Sequence, residues 1–474
     1  MEGHTSTAEN KPRRPFPQAK APINTSYKIT PLKPTGVSSE EMNKTVIRQF
    51  KQLIDNGDIM IDPGTVINCT KEELLKMTPN EMAATNPDGF RMVMNHNTGG
   101  GAADMQVTTS ESMGYGMLML VILAGQDQAL GIDIKAFFDG MFRSVMHWDS
   151  QIRIEGRKSH LMLWQLVQPD GSGSPYRQQA YKHNPENDGN GSCATDGDLD
   201  IAYALLLADK QWGSEGEYNY FEYALAMIND LWEFCIDTES ESLDKLNVLP
   251  NFHIKGGDWT SSRLHWASGY GLMIDITRTS DHMLDHLKAF KAVDPAHDWQ
   301  KVIDATYSCI IDLCSKQNPP TGILPDFATF DRKTKTWHPV PATQDSHWES
   351  PQDGEYFANA CRTPWRLGTD FLLSGETPID SVCIKPLNDT LRKVSGGEFS
   401  NLTGYSLDGK PNSYTASFFA NPPLVLAAAL GDQEWFDNGW NYASNQVWYD
   451  DQYGSYINVL ALIVVSGNYW FPVD

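Results

Sequence analysis

GSCATDGDLDIAYALLLADKQWG, residues 191–213, places Asp196, Asp198 and Asp200 within five positions and then runs into an apolar stretch ending at Trp212-Gly213. The stretch reads as a buried helix over 198–209 with three carboxylates at its mouth. Thr195 followed three residues later by Asp198 fits a capping box, in which side-chain oxygens satisfy the orphan amides of a first turn, and acids there suit the positive end of the helix dipole. Capping leaves Asp196 and Asp200 without a role. An EF-hand loop also opens D-x-D-x-D, but it requires Gly at its sixth position and Glu at its twelfth. Ile201 and Leu207 stand there. A third reading is a carboxylate offered at a helix start to a polar substrate, which needs partners elsewhere in the chain.

The 474 residues are 41% hydrophobic, with 14 Trp, 18 Tyr and 19 Phe, ample for a large core. A net charge of −23 repels phosphates, so nucleic acid is excluded as a partner, while neutral polymers are compatible and cationic ones favoured. The longest apolar runs, 117–124, 424–430 and 459–465, fall short of the roughly 18 residues a membrane span needs. The opening twenty residues show no apolar signal-peptide core. Seven scattered cysteines without a C-x-x-C pair make neither a disulfide framework nor a zinc site. The twelve histidines contain no H-E-x-x-H, so no metal or other cofactor is expected.

Residues 1–38, rich in Pro, Lys, Thr and Ser, read as an irregular arm lying over a domain. From Ser39 onward, 3.6-residue periodicity recurs. It predicts helices over 39–56, 110–125, 133–147, 198–209, 217–235, 281–292, 298–315, 354–373, 379–395, 414–430, 433–445 and 453–467. Long polar connections fill 85–109, 165–195, 236–280, 319–352 and 396–413. Many helices with long loops and few strand patterns indicate one all-α domain over 39–474, a toroid of helical hairpins whose loops build a groove.

Carboxylates recur beside aromatics in those loops. In TTSESMGYGML, 108–118, Glu111 begins an apolar helix with Tyr115 one turn on. Gly114 and Gly116 each cost roughly 1 kcal/mol in a helix relative to Ala, so something is expected to approach the backbone closely. The bland reading of Glu111 is a capping box with Thr108. DSHWESPQDGEYFANACRTPWRLGTDFLL, 345–373, offers Asp345, Glu349, Asp353 and Glu355 beside Trp348, Tyr356, Arg362 and Trp365. Asp258, Trp259, Arg278, Asp281 and His282 read as further groove lining. His282 and His286 stand at the spacing of a metal pair but lack a third ligand, and read as a polar face. Two acids on separate loops among aromatics meet the needs of glycoside hydrolysis, in which one protonates the leaving oxygen and the other acts as base or nucleophile. Ser and Cys nucleophile motifs are absent from the sequence.

These residues resemble glycoside hydrolase family 8. ATDGDLDIAYALLLA (194–208) looks like its signature, and S-E-x-M-G-Y-G (110–116), N-A-C-R-T-P-W-R (359–366) and G-N-Y-W-F-P (467–472) agree in order and spacing. The resemblance implies an (α/α)6 barrel and an inverting, endo-acting hydrolase of β-1,4-linked polysaccharide. It implies that Glu111 is the general acid and that Asp196 holds the sugar at the cleavage point. Asp198 is left as a helix cap and Asp200 without a role. The chain departs from many members at Asn359, where they carry their base as Asp, since an amide cannot take a proton from water. It resembles instead the chitosanase and mixed-linkage glucanase subgroup, whose base is a Glu ten residues upstream, here Glu349, with Asp345 and Glu355 as rivals.

The acid and base of a single displacement are expected roughly 6.5–9.5 Å apart. Tyr115, Asp258, Trp259, Arg278, Asp281, Trp348, Tyr356, Asn359, Arg362 and Trp365 are expected to bind substrate. The substrate expected first is chitosan, on charge and on the Asn359/Glu349 pattern, ahead of mixed-linkage β-glucan or cellulose. The alternative of another class is a silent polysaccharide-binding protein. A monomer acting outside the cell is expected, because a polymeric substrate cannot enter it.

Overall fold

The computed structural model describes residues 11–18, 26–61, 89–93, 106–152, 159–167, 177–178, 191–238, 249–260, 267–268, 271–449 and 451–473. The chain divides into two compact units. The first takes in the described residues of Met1–Ile23, Lys44–Ile228 and Val447–Gln452; the second takes in those of Asn24–Asn43, Asn229–Gln446 and Tyr453–Asp474. Twelve α-helices of eight residues or more occur among the described residues: α1 Ser39–Asp55, α2 Ser110–Ile122, α3 Ile134–His147, α4 Thr195–Trp212, α5 Tyr220–Asp230, α6 Leu284–Val293, α7 Trp299–Ser315, α8 Thr363–Ser374, α9 Lys385–Val394, α10 Pro423–Leu430, α11 Gln433–Ser444 and α12 Gln452–Val465.

In the first unit, α2 beyond its first turn and α4 between Ile201 and Ala208 are apolar on every side, and both are interior helices for that reason. Every residue of α2 from Met113 to Ile122 is buried, as is every residue of α4 from Thr195 to Ala208. The expected close approach at the glycines is present. A Cβ at Gly114 would lie 2.6 Å from the Asp200 Cβ and 3.1 Å from the Gly197 carbonyl oxygen. One at Gly116 would meet Val93 at 2.5 Å and Met141 at 3.0 Å. Asp200 thus has a packing position, facing the bare backbone of α2. The segment 11–18 ties on through Arg13 N to Gln211 O (2.8 Å) and Phe16 N to Ala124 O (2.9 Å).

In the second unit, α8 packs on α10 through Gly368, where a Cβ would lie 2.9 Å from Val425. A three-stranded antiparallel sheet, order β3-β2-β1, is formed by Ile276–Arg278 (β1), Phe327–Asp331 (β2) and Thr336–Pro339 (β3). Its register sets Arg278 opposite Phe327. Residues 26–38 run without helix or strand and donate Lys28 N and Ile29 N to Leu372 O.

Several boundaries differ from the periodicity, each for a local reason. α4 starts at Thr195, with Ala194 as a cap residue that makes no side-chain bond. α8 starts at Thr363 rather than 354, because the preceding amides of Phe357, Asn359 and Ala360 are taken by the Asp326 carboxylate. The helix expected over 414–430 breaks at Pro422-Pro423, which lack the N–H a continuous helix needs. The loop expected over 319–352 contains the β2–β3 hairpin, closed at Lys335 with φ 56°.

Candidate active site

Glu111 sits in the first turn of α2 and is half-buried. The cap of this helix is Thr109, not Thr108: the Thr109 hydroxyl accepts from Ser112 N at 3.1 Å, so the expected box is one residue out of register and leaves Glu111 outside the cap. The starts of α2 and α4 touch at Gly197, where a Cβ would lie 2.6 Å from Glu111 N. Asp196, the residue before that glycine, is 3% exposed, and its Oδ1 accepts from Gly197 N at 2.9 Å. Glu111 and Asp196 are therefore brought together at one corner. Asp198 does not cap α4. Its Oδ1 accepts from Met162 N at 2.8 Å, tying a distant loop to the helix.

The second group lies in the other unit, around Glu349. The Glu349 side chain is 38% exposed, yet both oxygens are held: Arg278 Nη2 donates to Oε1 and Asn359 Nδ2 to Oε2, each at 2.8 Å. The loop beneath it is pinned by buried Asp353, which accepts from Trp348 N (2.8 Å), Glu349 N (3.1 Å) and Ser350 N (2.8 Å). Trp348 is wedged between Phe327 and Trp259, with ring centroids at 4.7 and 5.2 Å, beside Gly256, where a Cβ would meet its indole at 3.3 Å. Arg278 also lies 4.0 Å from Asp281 and over the Phe327 ring. Glu349, Arg278, Asn359 and Trp348 thus form one cluster from positions spread across more than eighty residues of sequence.

Of the rival bases, Asp345 is exposed in the loop, and Glu355 is engaged through Oε2 by Asn412 Nδ2 at 2.6 Å. Several residues expected to touch substrate lie inside. Tyr356 is fully buried with its hydroxyl toward Cys361 O, and Trp365 is 2% exposed beneath Arg366. Neither has an open ring face, so their place is packing. Tyr115, Asp258, Asp281 and Arg362 are also at or below 1% exposure, and Trp259 is 5% exposed. His282 and His286 are buried at the start of α6 rather than on a polar face. The His282 backbone lies in a short turn before the helix, with Nε2 3.4 Å from Thr277 Oγ1, while His286 Nδ1 lies 3.0 Å from Asp285.

Asp326 was not singled out in the sequence. It stands fully buried behind Asn359. Its Oδ1 accepts from Phe357 N (2.9 Å) and Ala360 N (2.7 Å), and its Oδ2 from Asn359 N (3.0 Å) and Nδ2 (3.2 Å). Burial pushes its carboxyl up to about 7; the amide donors oppose that rise and the nearby Glu349 charge adds to it. The available signal was a lone acid in the apolar run ILPDF, 323–327.

Residues 99–239 match the family model described as glycosyl hydrolases family 8. The chain is 34% identical over 372 residues to the beta-glucanase of Niallia circulans, covering 77% of each. It is 30% identical over 474 residues to the endoglucanase of Bacillus sp. (strain KSM-330), covering 98% of this chain and 84% of that one. The chain belongs to glycosyl hydrolases family 8. As a family 8 member it is a glycoside hydrolase, and the all-α, (α/α)6-barrel class expected from the sequence is the fold it shares with solved relatives. The apo β-1,3-1,4-glucanase from Paenibacillus sp. X4 matches with a TM-score of 0.74 at 29% identity, over 97% of this chain and all of that one. Rex8A from Paenibacillus barcinonensis, solved with xylose, shares the fold at a TM-score of 0.60 and 16% identity, over 91% of this chain and 94% of that one.

Proposed function

We propose that this family 8 hydrolase cleaves β-glucans containing β-1,4 linkages, acting within the chain and inverting the anomeric centre. Glu111 serves as general acid and protonates the glycosidic oxygen. Glu349 serves as general base and takes a proton from the water that attacks the anomeric carbon from the opposite face. Asp196 binds the sugar at the cleavage point, and Trp348 gives a ring for an apolar pyranose face. The observation that carries the reading is the Glu349 carboxylate, gripped at both oxygens by Arg278 and Asn359 while still open to water. Asn359 is a donor in this arrangement and has no capacity to act as the base itself.

The relatives named beta-glucanase, endoglucanase and β-1,3-1,4-glucanase support a glucan over the chitosan expected first from the sequence. Chitosan keeps one argument, the net charge of −23, which attracts a cationic polymer at long range. Rates of reducing-end release on mixed-linkage β-glucan, carboxymethylcellulose, chitosan and xylan, measured side by side, test the assignment. The glucans are expected to lead, and a chitosan rate above both reverses it. Glu349→Gln is expected to remove nearly all turnover with folding intact, and near-wild-type turnover sends the base role to Asp345 or Glu355. The first product anomer, followed by NMR, is expected to be α. A polymer of this size places the working enzyme outside the cell.

A further inference from the structure

Asn359 is a side chain with no freedom left. Its amide nitrogen carries two protons, and two carboxylates stand within reach: Glu349 Oε2 at 2.8 Å and Asp326 Oδ2 at 3.2 Å. Its oxygen is taken by Arg362 Nη2 at 3.1 Å, and that same nitrogen donates to Ser280 Oγ at 2.8 Å. Arg362 is 1% exposed and Asp326 is 1% exposed, so both partners that orient the amide are interior groups, whereas Glu349 is at the surface. A flip of the amide would set its NH2 against the Arg362 guanidinium and its oxygen against two carboxylates. The orientation is therefore forced.

We propose that Asp326 is a positioning residue for the reaction: through Asn359 it aims the Glu349 carboxylate at the attacking water. The proposal rests on the reading of Glu349 as the base. Asp326 holds three backbone donors of the 357–360 turn, Phe357 N, Asn359 N and Ala360 N, and so fixes the backbone from which Asn359 reaches out. Its second oxygen then takes one proton of the Asn359 amide, which leaves the other pointing at Glu349. The chain thus has an acid with no access to substrate that sets the direction of one that has it. A surface carboxylate on a loop otherwise samples several rotamers, and a loss of aim on the order of 1 Å costs about 100-fold in rate.

The substitution Asp326→Asn tests this, with mixed-linkage β-glucan as substrate. An amide there still accepts from Phe357 N and Ala360 N through its oxygen, but sets its NH2 against the N–H and the side-chain amide of Asn359. The expected result is kcat lower by about 10- to 100-fold, with KM within about twofold of wild type and a native circular-dichroism spectrum. Asn359→Ala is expected to give a loss of the same size. The double variant D326N/N359A is expected to be no worse than N359A alone, because both substitutions break one route. Additive losses, or a D326N enzyme with wild-type kcat, overturn the proposal. If D326N does not fold, N359A decides: a loss confined to kcat supports the relay, and wild-type kcat overturns it, since Asp326 then has no path to Glu349. Glu349→Gln run in parallel separates the two claims. An active E349Q enzyme defeats the assignment of the base, whereas an inactive E349Q beside a fully active D326N defeats the positioning role only.

Discussion

Gly197 of α4 lies directly against the backbone of Glu111. A Cβ at that glycine would come 2.6 Å from the Glu111 amide nitrogen, and its other nearest neighbours are the carbonyl carbon and hydroxyl of Ser110. The turn that presents the proposed acid and the turn that carries Asp196 are therefore seated on each other, with the Ser110 hydroxyl beside the contact. Neither can move without the other.

Gly197→Ala is expected to push the start of α2 outward, since two of the three shortest contacts are with backbone atoms that cannot rotate away. Overpacking of this kind costs about 1–3 kcal/mol, and displacement of Glu111 is expected to lower kcat by roughly 10-fold or more. Thermal melts and initial rates on β-glucan measure both. An Ala variant with unchanged kcat contradicts the seating of Glu111 on this turn.

Asp353 governs the other proposed catalytic group through the backbone. Asp353→Ala removes the acceptor for three consecutive, partly buried amides at 348–350, each such hydrogen bond being worth about 0.5–1.5 kcal/mol. The loop bearing Glu349 and Trp348 is expected to loosen, with kcat reduced and limited proteolysis appearing within 345–353. A protease-resistant, fully active variant argues that the loop is held by its aromatic packing alone.

Asn359→Asp restores the residue type that the sequence resemblance places at the base position in many relatives, yet here it is expected to harm the protein. The new carboxylate would stand between Asp326 and Glu349, and like charges at this range disfavour ionisation. A carboxyl raised in this way keeps its stability at low pH and loses it as pH rises through its folded value, so the cost, about 1–3 kcal/mol, is expected at pH 8 and not at pH 4. Melting curves of N359D and wild type at the two values check the sign. Equal differences at both pH values refute it.

His253 and His282 give the molecule an acid limit. Burial lowers His253 to about 4, with Asp237 opposing and Arg332 adding to the fall, and lowers His282 to about 3, with His253 adding. Both titrate near 6.5 when unfolded. Between 6.5 and those values the unfolded chain binds the extra protons, so stability is full above about 6.5 and falls as pH drops, by up to about 1.4 kcal/mol per pH unit for each histidine. Urea midpoints at pH 7, 6 and 5 are expected to decline, and His282→Gln is expected to flatten the slope by about one proton. An unchanged slope in that variant places the loss elsewhere.

The apolar runs of α2 and α4 carry their burial in their composition, which is why both helices and the demand for glycine between them are readable without coordinates. The roles proposed for Glu111 and Asp196 come from the resemblance of the segments that carry them to the family's motifs. Their caps do not. Thr108, Thr109, Thr195 and Asp198 are equally able to cap, and the choice falls to geometry: Asp198 is drawn off by Met162 N, 36 residues away.

The sequence by itself determined a helical glycoside hydrolase of this family, and it pointed to Glu111 as the proposed acid and to Glu349 as the proposed base in place of Asn359. Only the tertiary structure decided what holds that carboxylate. Arg278 lies 71 residues and Asn359 ten residues from Glu349, and Asp326 lies 33 from Asn359. Hydrogen bonds act over about 3 Å of space, and no periodicity in the chain reports which distant side chains a fold will bring within that reach.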